Sequence, residues 1–317
     1  MTIRFDIPLP DISNLVQGNT DTHGVWEFNS DAEGPSVMVT ALIHGNELCG
    51  AWALKELLEH GVRLTKGRLI LAFCNLAAFD SFNAESHDAS RFVEEDMNRV
   101  WQLDKLNNPS TQERQRAKEL VKCVKGADYL LDIHSMHEPS VPLLMTGMLE
   151  RNVDLAKRLG TPRHVIMDAG HKDGTRMRDF GPFGDTHGTA QALLIECGFH
   201  GDLSSMTVAR ELVGRFLVES EVIEEQELPS DWVLPAKESQ IVLKVTDAVV
   251  ATSMNLTFAE AYQGMECIAK AGTVIAQDNG TPIVTPYDNC YLVMPSLRQL
   301  KPGVTVVRFA KEHHRKD

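Results

Sequence analysis

Hydrophobic and polar positions along the first two-thirds of the chain predict strands and helices in alternation. Val37–Ile43 is a short apolar, β-branched run that is typical of a buried strand. From Glu47 to His60, apolar residues recur at helical spacing, and Gly61 stands where that helix would end. The same patterns predict strands at 68–74, 129–133, 163–167 and 191–196, and helices at 108–126 and 204–224. Asn108 is the expected cap of the first of these two helices, with Pro109 at its first position.

The pattern changes in the segment 228–235, which contains two prolines near its ends and is predicted to be a connector. Beyond it, short β-rich segments are separated by turn signals such as Asp278-Asn279-Gly280. Strands that alternate with helices predict an α/β layered domain with a mixed, largely parallel sheet. We therefore predict two domains, an α/β domain at 1–230 and a small all-β domain at 231–317.

Composition narrows the classes of partner. The 317 residues carry 31 basic and 44 acidic side chains, a formal charge of −13, which argues against nucleic acid or an anionic membrane as the main partner. No apolar run reaches the ~18–20 residues that span a bilayer, and the first ten residues lack a signal-peptide pattern. The six cysteines form no C-x-x-C motif and are expected to be reduced. We expect a cytoplasmic protein, with a homo-oligomer left open.

The first candidate for chemistry is His44-Gly45-Asn46-Glu47, which follows a predicted buried strand and begins a helix. Ligand sites of open α/β sheets gather at this edge, and His and Glu are both zinc ligands. A helix entry with a capping Glu explains this motif equally well when it is taken alone.

The second candidate is His134, which ends the apolar strand that begins at Tyr129. Together with His44 and Glu47 it completes a His₂Glu set, a known catalytic zinc combination that leaves one position for water. Asp132, two residues before it, is a candidate to orient a ligand. A purely structural histidine is the alternative.

Two further segments carry charged side chains that are candidates for catalysis or substrate binding. Glu196 ends an apolar strand, and beside an activated water it could take a proton and pass it to a leaving amine. The segment 90–99 holds Arg91, Asn98 and Arg99, which suit carboxylate binding or oxyanion stabilisation. A solvated strand end and an ordinary charged loop are the respective alternatives.

In this order, H-x-x-E, D-x-N-R, D-x-H and a strand that ends in Glu resemble the succinylglutamate desuccinylase/aspartoacylase family. This family is a branch of the zinc carboxypeptidase superfamily, and the resemblance covers 37–198 by motif. It implies a zinc-carboxypeptidase-like α/β/α sandwich, followed by a small β domain that shapes the substrate entrance.

The resemblance also implies roles for individual residues. His44, Glu47 and His134 match the ligands of one Zn²⁺ per chain, and Glu196 matches the glutamate that activates the attacking water. Arg91 matches the arginine that polarises the scissile carbonyl. Asn98 and Arg99 match the pair that binds the α-carboxylate of the substrate.

Other positions are less specific. The aspartoacylase branch has a further substrate-binding arginine before the catalytic Glu, for which Arg178 is the chosen candidate and Arg176 the alternative. The family also places a tyrosine from the β domain at the mouth of the site, for which Tyr287 and Tyr291 are candidates. A second metal site is left open by three loop histidines, His171, His187 and His200.

Taken together, these residues predict a zinc-dependent hydrolase that cleaves the amide bond of an N-acyl amino acid or a similar small carboxylate. A zinc carboxypeptidase that acts on peptides is the alternative enzyme, because the carboxylate-binding pair serves both reactions. A binding module that has lost its chemistry is the non-enzymatic alternative, and the intact set of His44, Glu47, His134 and Glu196 argues against it.

Overall fold

A computed structural model describes residues 5–170 and 172–315. The α-helices in this part of the chain are α1 (Leu48–His60), α2 (Leu76–Asp80), α3 (Leu103–Asn107), α4 (Gln112–Lys125), α5 (Glu150–Leu159) and α6 (Ser204–Glu219). The strands are β1 (Val25–Asn29), β2 (Ser36–Ala41), β3 (Arg68–Phe73), β4 (Tyr129–Met136), β5 (Leu143–Met145), β6 (His164–Met167), β7 (Gln191–Phe199), β8 (Ile241–Val250), β9 (Thr257–Phe258), β10 (Cys267–Ile268), β11 (Val274–Asp278), β12 (Thr281–Val284), β13 (Cys290–Val293) and β14 (Thr305–Glu312).

Eleven of the described strands form one mixed sheet, in the order β1-β3-β2-β4-β7-β5-β6-β8-β14-β13-β10. Strands β3, β2, β4 and β7 are parallel neighbours, so the carboxyl ends of β2, β4 and β7 meet at one edge. The register sets His134 of β4 level with Glu196 of β7. The strands whose carboxyl ends were predicted to form a site are therefore direct neighbours in the sheet.

Helices cover both faces of this sheet. Successive side chains of a strand point to opposite faces, and in the central strands both sets are apolar and need to be buried. On one face, Val39, Leu131 and Ile195 pack in a core with apolar residues of α1, α5 and α6. On the other face, Met38 and Leu130 pack with apolar residues of α3 and α4. The α/β/α layering predicted from the sequence is confirmed, and the polar ends of β4 and β7 face the α3–α4 side.

The strands after the connector extend the same sheet. Strand β8 pairs in parallel with β6, and β14 then pairs antiparallel with β8. Strands β9, β11 and β12 form a separate three-stranded sheet. The small β-rich region is thus as predicted, while the division of the chain at residue 230 stays a prediction.

Most predicted elements are present, and the differences have local causes. Helix α4 begins at Gln112, with the hydroxyl of Thr111 accepting from the backbone N–H of Arg114 at 3.3 Å, so the predicted cap at Asn108 is wrong. Pro109 lies in the link that precedes this cap, where its missing N–H has no consequence for the helix. Strands β1, β5, β9 and β10 and helices α2, α3 and α5 were not predicted.

No helix in the described residues is long and apolar enough to cross a membrane. All six cysteines lie in the described part of the chain and are free, five of them buried and Cys267 exposed.

Candidate metal centre and active site

The turn between β2 and α1 carries the first two candidate ligands. His44 and Glu47 are both buried, at 3% and 1% exposure. The turn passes so close to α2 that a Cβ at Gly45 would stand 2.3 Å from the backbone carbon of Ala78, a distance that no side chain tolerates. Glycine at this position therefore lets the turn bend back and bring His44 and Glu47 to the same point.

His134 joins them from β4. The Nδ1 atom of His44 lies 2.7 Å from Oε1 of Glu47, and Nδ1 of His134 lies 2.8 Å from its Oε2. One ligand atom from each of the three residues falls within 4.8 Å of the other two, and this is the only group of three or more such side chains between residues 5 and 315, His171 aside. The predicted ligands are thus brought together, with a donor set that suits Zn²⁺.

A carboxylate lies behind each of the two imidazoles. Nε2 of His134 is 2.9 Å from Oδ2 of Asp132, and Nε2 of His44 is 2.9 Å from Oδ1 of Asp96. At His44 the contact is a hydrogen bond, so Asp96 fixes the ring tautomer and leaves the Nδ1 lone pair free for a metal. At His134 it is an ion pair, in which Oδ2 of Asp132 has no hydrogen-bond partner among the described residues. The hydroxyl of Thr40 in turn donates to Asp132 at 2.7 Å. This arrangement is typical of metal-binding histidines, and it supports the fit of the site to a divalent ion.

Electrostatics favour an anionic Glu47 at the centre. Burial alone would raise the pKa of its carboxyl, but the charges of His44 and His134 hold that pKa well below its ordinary value. For His134, burial acts to lower the pKa, and Asp132 and Glu47 outweigh it and raise the pKa well above the usual value. In the metal-free protein Glu47 is therefore anionic, the form in which a carboxylate binds a metal ion, and a bound ion would displace the proton of His134.

Glu196 lies on the neighbouring strand at the level of His134. Its side-chain oxygen Oε2 is buried and has no hydrogen-bond partner within the described residues. Burial first, and then the negative charge of Glu47, raise the pKa of Glu196 to about 8. A carboxyl of this kind exchanges a proton near neutral pH, which is what a general acid–base group requires.

The raised pKa of Glu196 predicts a pH dependence for the metal-free protein. Between the ordinary pKa of 4.5 and about 8, the folded chain holds a proton on Glu196 that the unfolded chain has released. The free energy of unfolding therefore falls as the pH rises through this window. Glu196→Gln removes the effect, so the variant should match wild type near pH 4.5 and become progressively more stable than wild type towards pH 8.

Urea unfolding of both proteins in the presence of a chelator, at steps between pH 4.5 and 8.5, measures this difference. A difference that stays constant across the range would contradict the role of burial in the Glu196 pKa.

Arg91 reaches the centre from the loop before α3. Its Nη2 atom lies 3.0 Å from Oδ2 of Asp96, and its Nη1 atom lies 3.4 Å from Oε1 of Glu47. Burial tends to lower the pKa of this guanidinium, but Asp96 and Glu47 raise it above its ordinary value. Arg91 is therefore a permanent positive charge beside the ligand set.

Asn98 and Arg99 follow in a 3₁₀ turn, Met97–Arg99. The amide nitrogen of Asn98 is 3.4 Å from Nε2 of His134, and its side-chain oxygen accepts from the backbone N–H of Met177 at 3.1 Å. Burial, together with the nearby charges of Arg176 and Arg91, lowers the pKa of Arg99 to about 10, although Asp96 opposes the shift. Crowded arginines of this kind favour an anionic ligand, and the substrate roles of Asn98 and Arg99 stay predictions.

The two candidates for the further substrate arginine lie in different surroundings. The side chain of Arg178 is fully buried, with Nη1 3.2 Å from Oδ1 of Asp179. Arg176 has its Nη2 atom 3.5 Å from Oδ2 of Asp168, and its charge acts on the pKa values of both Glu196 and Arg99. The charge of Asp132 acts in turn on the pKa of Arg178, so both arginines interact electrostatically with site residues, and the role given to Arg178 stays a prediction.

The C-terminal strands supply an arginine that the sequence analysis missed. Arg308 of β14 has its Nε atom 3.5 Å from Oδ2 of Asp168, and its charge also acts on Arg99. The signal in the sequence was a charged residue in an apolar strand pattern, since Arg308 follows two valines and precedes a phenylalanine. The structure shows that this arginine is buried. The predicted tyrosines use their hydroxyls inside the C-terminal region, Tyr287 with Thr246 and Tyr291 with Glu312.

The three loop histidines that left a second metal site open lie in different surroundings. His171 lies outside the described residues, and His187 is exposed. His200 is buried, with Nδ1 2.8 Å from the hydroxyl of Ser135. Within the described residues, His200 belongs to no group of three or more candidate ligands, and a second metal site stays a prediction.

Comparisons with known proteins agree with this geometry. The succinylglutamate desuccinylase/aspartoacylase catalytic domain matches residues 33–217. The succinylglutamate desuccinylase/aspartoacylase from Rhodobacter sphaeroides has a similar fold, with a TM-score of 0.67 and 18% identity over 92% of this chain and 89% of that one. So does the succinylglutamate desuccinylase from Chromobacterium violaceum, with a TM-score of 0.65 and 21% identity over 93% and 90%.

A third similar structure is the product-bound ectoine utilization protein EutE (DoeB) from Ruegeria pomeroyi, with a TM-score of 0.63 and 17% identity over 96% of this chain and 97% of that one. The sequences of curated proteins contain no match to this chain.

Proposed function

Because the chain belongs to the succinylglutamate desuccinylase/aspartoacylase family, we propose that it is a zinc-dependent hydrolase of N-acyl amino acids or similar small carboxylates. The observation that carries the proposal is the position of Glu196, which lies on the strand next to His134 and at the same level, and whose Oε2 atom has no hydrogen-bond partner among the described residues. A proton-transfer group beside a His₂Glu ligand set is the arrangement that amide hydrolysis needs.

His44, Glu47 and His134 would hold the Zn²⁺, with Asp96 and Asp132 fixing the two imidazoles. When bound, the ion would polarise the scissile carbonyl and lower the pKa of water at the site. The remaining chemistry is assigned to side chains of the chain itself.

Glu196 would take a proton from the attacking water as the water oxygen bonds to the carbonyl carbon. It would then give this proton to the amide nitrogen as the C–N bond breaks, so that the products are a carboxylic acid and an amine. A carboxyl with a pKa of about 8 in the metal-free protein is placed to do both steps near neutral pH. Arg91, which is held beside Glu47 and Asp96, would donate to the carbonyl oxygen as negative charge develops on it.

Asn98 and Arg99 would bind the α-carboxylate of the substrate, with Arg176 as a further positive charge next to them. Beyond them, Arg308 of the C-terminal region shares Asp168 with Arg176. The positive charge of this group contrasts with the chain as a whole at −13, and it supports a small anionic substrate.

Contacts between the C-terminal region and the site segments support a small substrate rather than a peptide. Arg298, which precedes β14, donates through Nε to Asp88 at 2.6 Å and through Nη1 to the backbone oxygen of His137 at 3.0 Å. These segments lie directly before Arg91 and after His134. A loop fixed across them would narrow the entrance and exclude long chains.

Amine release by the purified, zinc-loaded protein tests the proposal. The substrates are N-acetyl, N-succinyl and N-formyl amino acids alongside short peptides, with the Glu196→Gln variant as the blank. We expect release from N-acyl amino acids and little from peptides. Release that grows with peptide length would instead identify a carboxypeptidase, and silence across the whole panel with zinc bound would refute both reactions.

A further inference from the structure

Glu113 is a buried carboxylate that the proposed chemistry does not use. It lies in the first turn of α4 and has no exposed surface. Its Oε1 atom accepts from the backbone N–H of Val93 at 2.7 Å and from the side-chain amide of Asn75 at 3.2 Å. Its Oε2 atom accepts from the backbone N–H groups of Glu94 and Glu95, at 3.2 and 3.3 Å. One side chain thus binds three successive backbone amides of a single loop.

The loop in question is 91–99, which carries four site residues. Arg91 stands just before the three bound amides, and Asp96, Asn98 and Arg99 stand just after them. Side chains of the loop also return to the start of α4, since Glu94 accepts from the backbone of residue 112 and Glu95 from the hydroxyl of residue 111. The loop thus donates hydrogen bonds to the start of α4 and also accepts hydrogen bonds from it.

The chemistry of this contact requires a charged carboxylate. Burying a carboxylate is costly unless hydrogen bonds satisfy it, and here N–H donors face both of its oxygens. A glutamine has the same shape but would turn an NH₂ group towards some of these donors. Asn75 follows β3, so the same carboxylate ties the loop to the sheet as well as to α4.

We propose that Glu113 is a positioning residue for the hydrolytic site, one that holds the loop 91–99 at the distance at which Arg91 and Asp96 act. Asp96 reaches His44 at 2.9 Å and Arg91 at 3.0 Å, so a shift of the loop moves both partners. The inference rests on the proposed hydrolase function. It adds a requirement that no site motif in the sequence expresses.

The test compares Glu113→Gln with Glu119→Gln, a matched change of an exposed glutamate on the same helix. For Glu113→Gln we expect kcat/KM to fall by about 10- to 100-fold, because a displacement of ~1 Å in a site can cost 10²-fold in rate. With saturating zinc the content should stay at one per chain, since His44, Glu47 and His134 lie on other elements, while zinc affinity should weaken because the shift also moves Asp96 relative to His44. Amide hydrogen exchange should accelerate at 93–95, and the Glu119→Gln protein should behave as wild type.

Two further variants separate positioning from simple stability. In an Arg91→Ala background, Glu113→Gln should cost less than it does alone, because the part of its effect that passes through Arg91 is already lost and only the part that passes through Asp96 remains. Glu113→Asp keeps the buried charge and should fall between Gln and wild type in rate and in exchange.

The outcomes are distinguishable from failure of the proposed function. Wild type that hydrolyses nothing refutes the hydrolase, whereas an active wild type with unchanged rate and exchange in Glu113→Gln refutes the positioning role. Effects that add fully to Arg91→Ala also overturn it. If the Gln variant does not fold and Glu113→Asp has wild-type rate and exchange, Glu113 is a folding residue only, and the inference is wrong.

Discussion

Glu196→Gln is expected to lower kcat by roughly 10²- to 10⁴-fold while the protein keeps its zinc, because that is the usual contribution of a general acid–base group. Glutamine has the shape of Glu196 and no basic oxygen that can take the proton of water. The carboxyl oxygen Oε2 has no hydrogen-bond partner among the described residues, so the substitution breaks no such bond there. Single-turnover rates with an N-acyl amino acid, together with metal analysis of the same samples, measure the effect.

A surface change of the same type serves as the control. Glu59 is exposed on α1 and pairs with Lys55, so Glu59→Gln should leave both rate and zinc content unchanged. Near-normal turnover of Glu196→Gln would refute the role of Glu196 as the acid–base group. Loss of zinc together with activity would make it a ligand or a structural residue instead.

His134→Ala is expected to lose the metal itself. The residue is one of the three proposed ligands, and its removal also leaves the buried Asp132 without its ion-pair partner. Partners behind a ligand contribute typically 10- to 100-fold to metal affinity, so Asp132→Asn should weaken zinc binding by about that factor. His134→Ala should weaken it further, and activity should disappear with the metal.

Competition with a chromophoric chelator measures the three affinities in one series. The order wild type, Asp132→Asn, His134→Ala is the expected result, with the exposed His60→Ala as a control that binds like wild type. Stoichiometric zinc in the His134→Ala protein after dialysis against the chelator would refute the ligand assignment.

The sequence predicted that the candidate ligands His44, Glu47 and His134 come together, because local patterns indicate it. His44 and His134 each follow an apolar run that forms a central strand, and parallel neighbours bring such strand ends to one edge. Glu47 follows His44 by three residues, so a single turn unites them. In this part of the chain, short-range order and the geometry of a parallel sheet determine the site.

Partners that are distant in the chain could not be predicted in the same way. Asp96 lies 52 residues from His44, and the three amides that bind Glu113 lie 18 to 20 residues before it, with no pattern that announces either contact. Arg308 reaches Asp168 only because β8 and β14 extend the sheet next to β6. These contacts follow from how loops dock and from strand order, which the alternation of polar and apolar residues does not encode.

The cap of α4 shows a smaller limit of the same kind. Asn-Pro and Ser-Thr both offer a helix start within four residues, and the structure uses Thr111. The choice is linked to the loop 91–99, because the Thr111 hydroxyl also donates to Glu95. Tertiary contact decides between two local signals of similar strength.

The continuation of the sheet from β6 into β8 has a consequence for any shortened form of the protein. A chain cut at residue 230 would leave β6, with the buried Val165 and Ile166, as a bare edge open to pairing with other molecules. It would also expose the core face that Trp232 covers and leave Asp168 without Arg308. Apart from the two candidate tyrosines, the site residues predicted from the sequence all lie before this cut. Even so, the fragment that contains them should aggregate rather than work as a minimal enzyme.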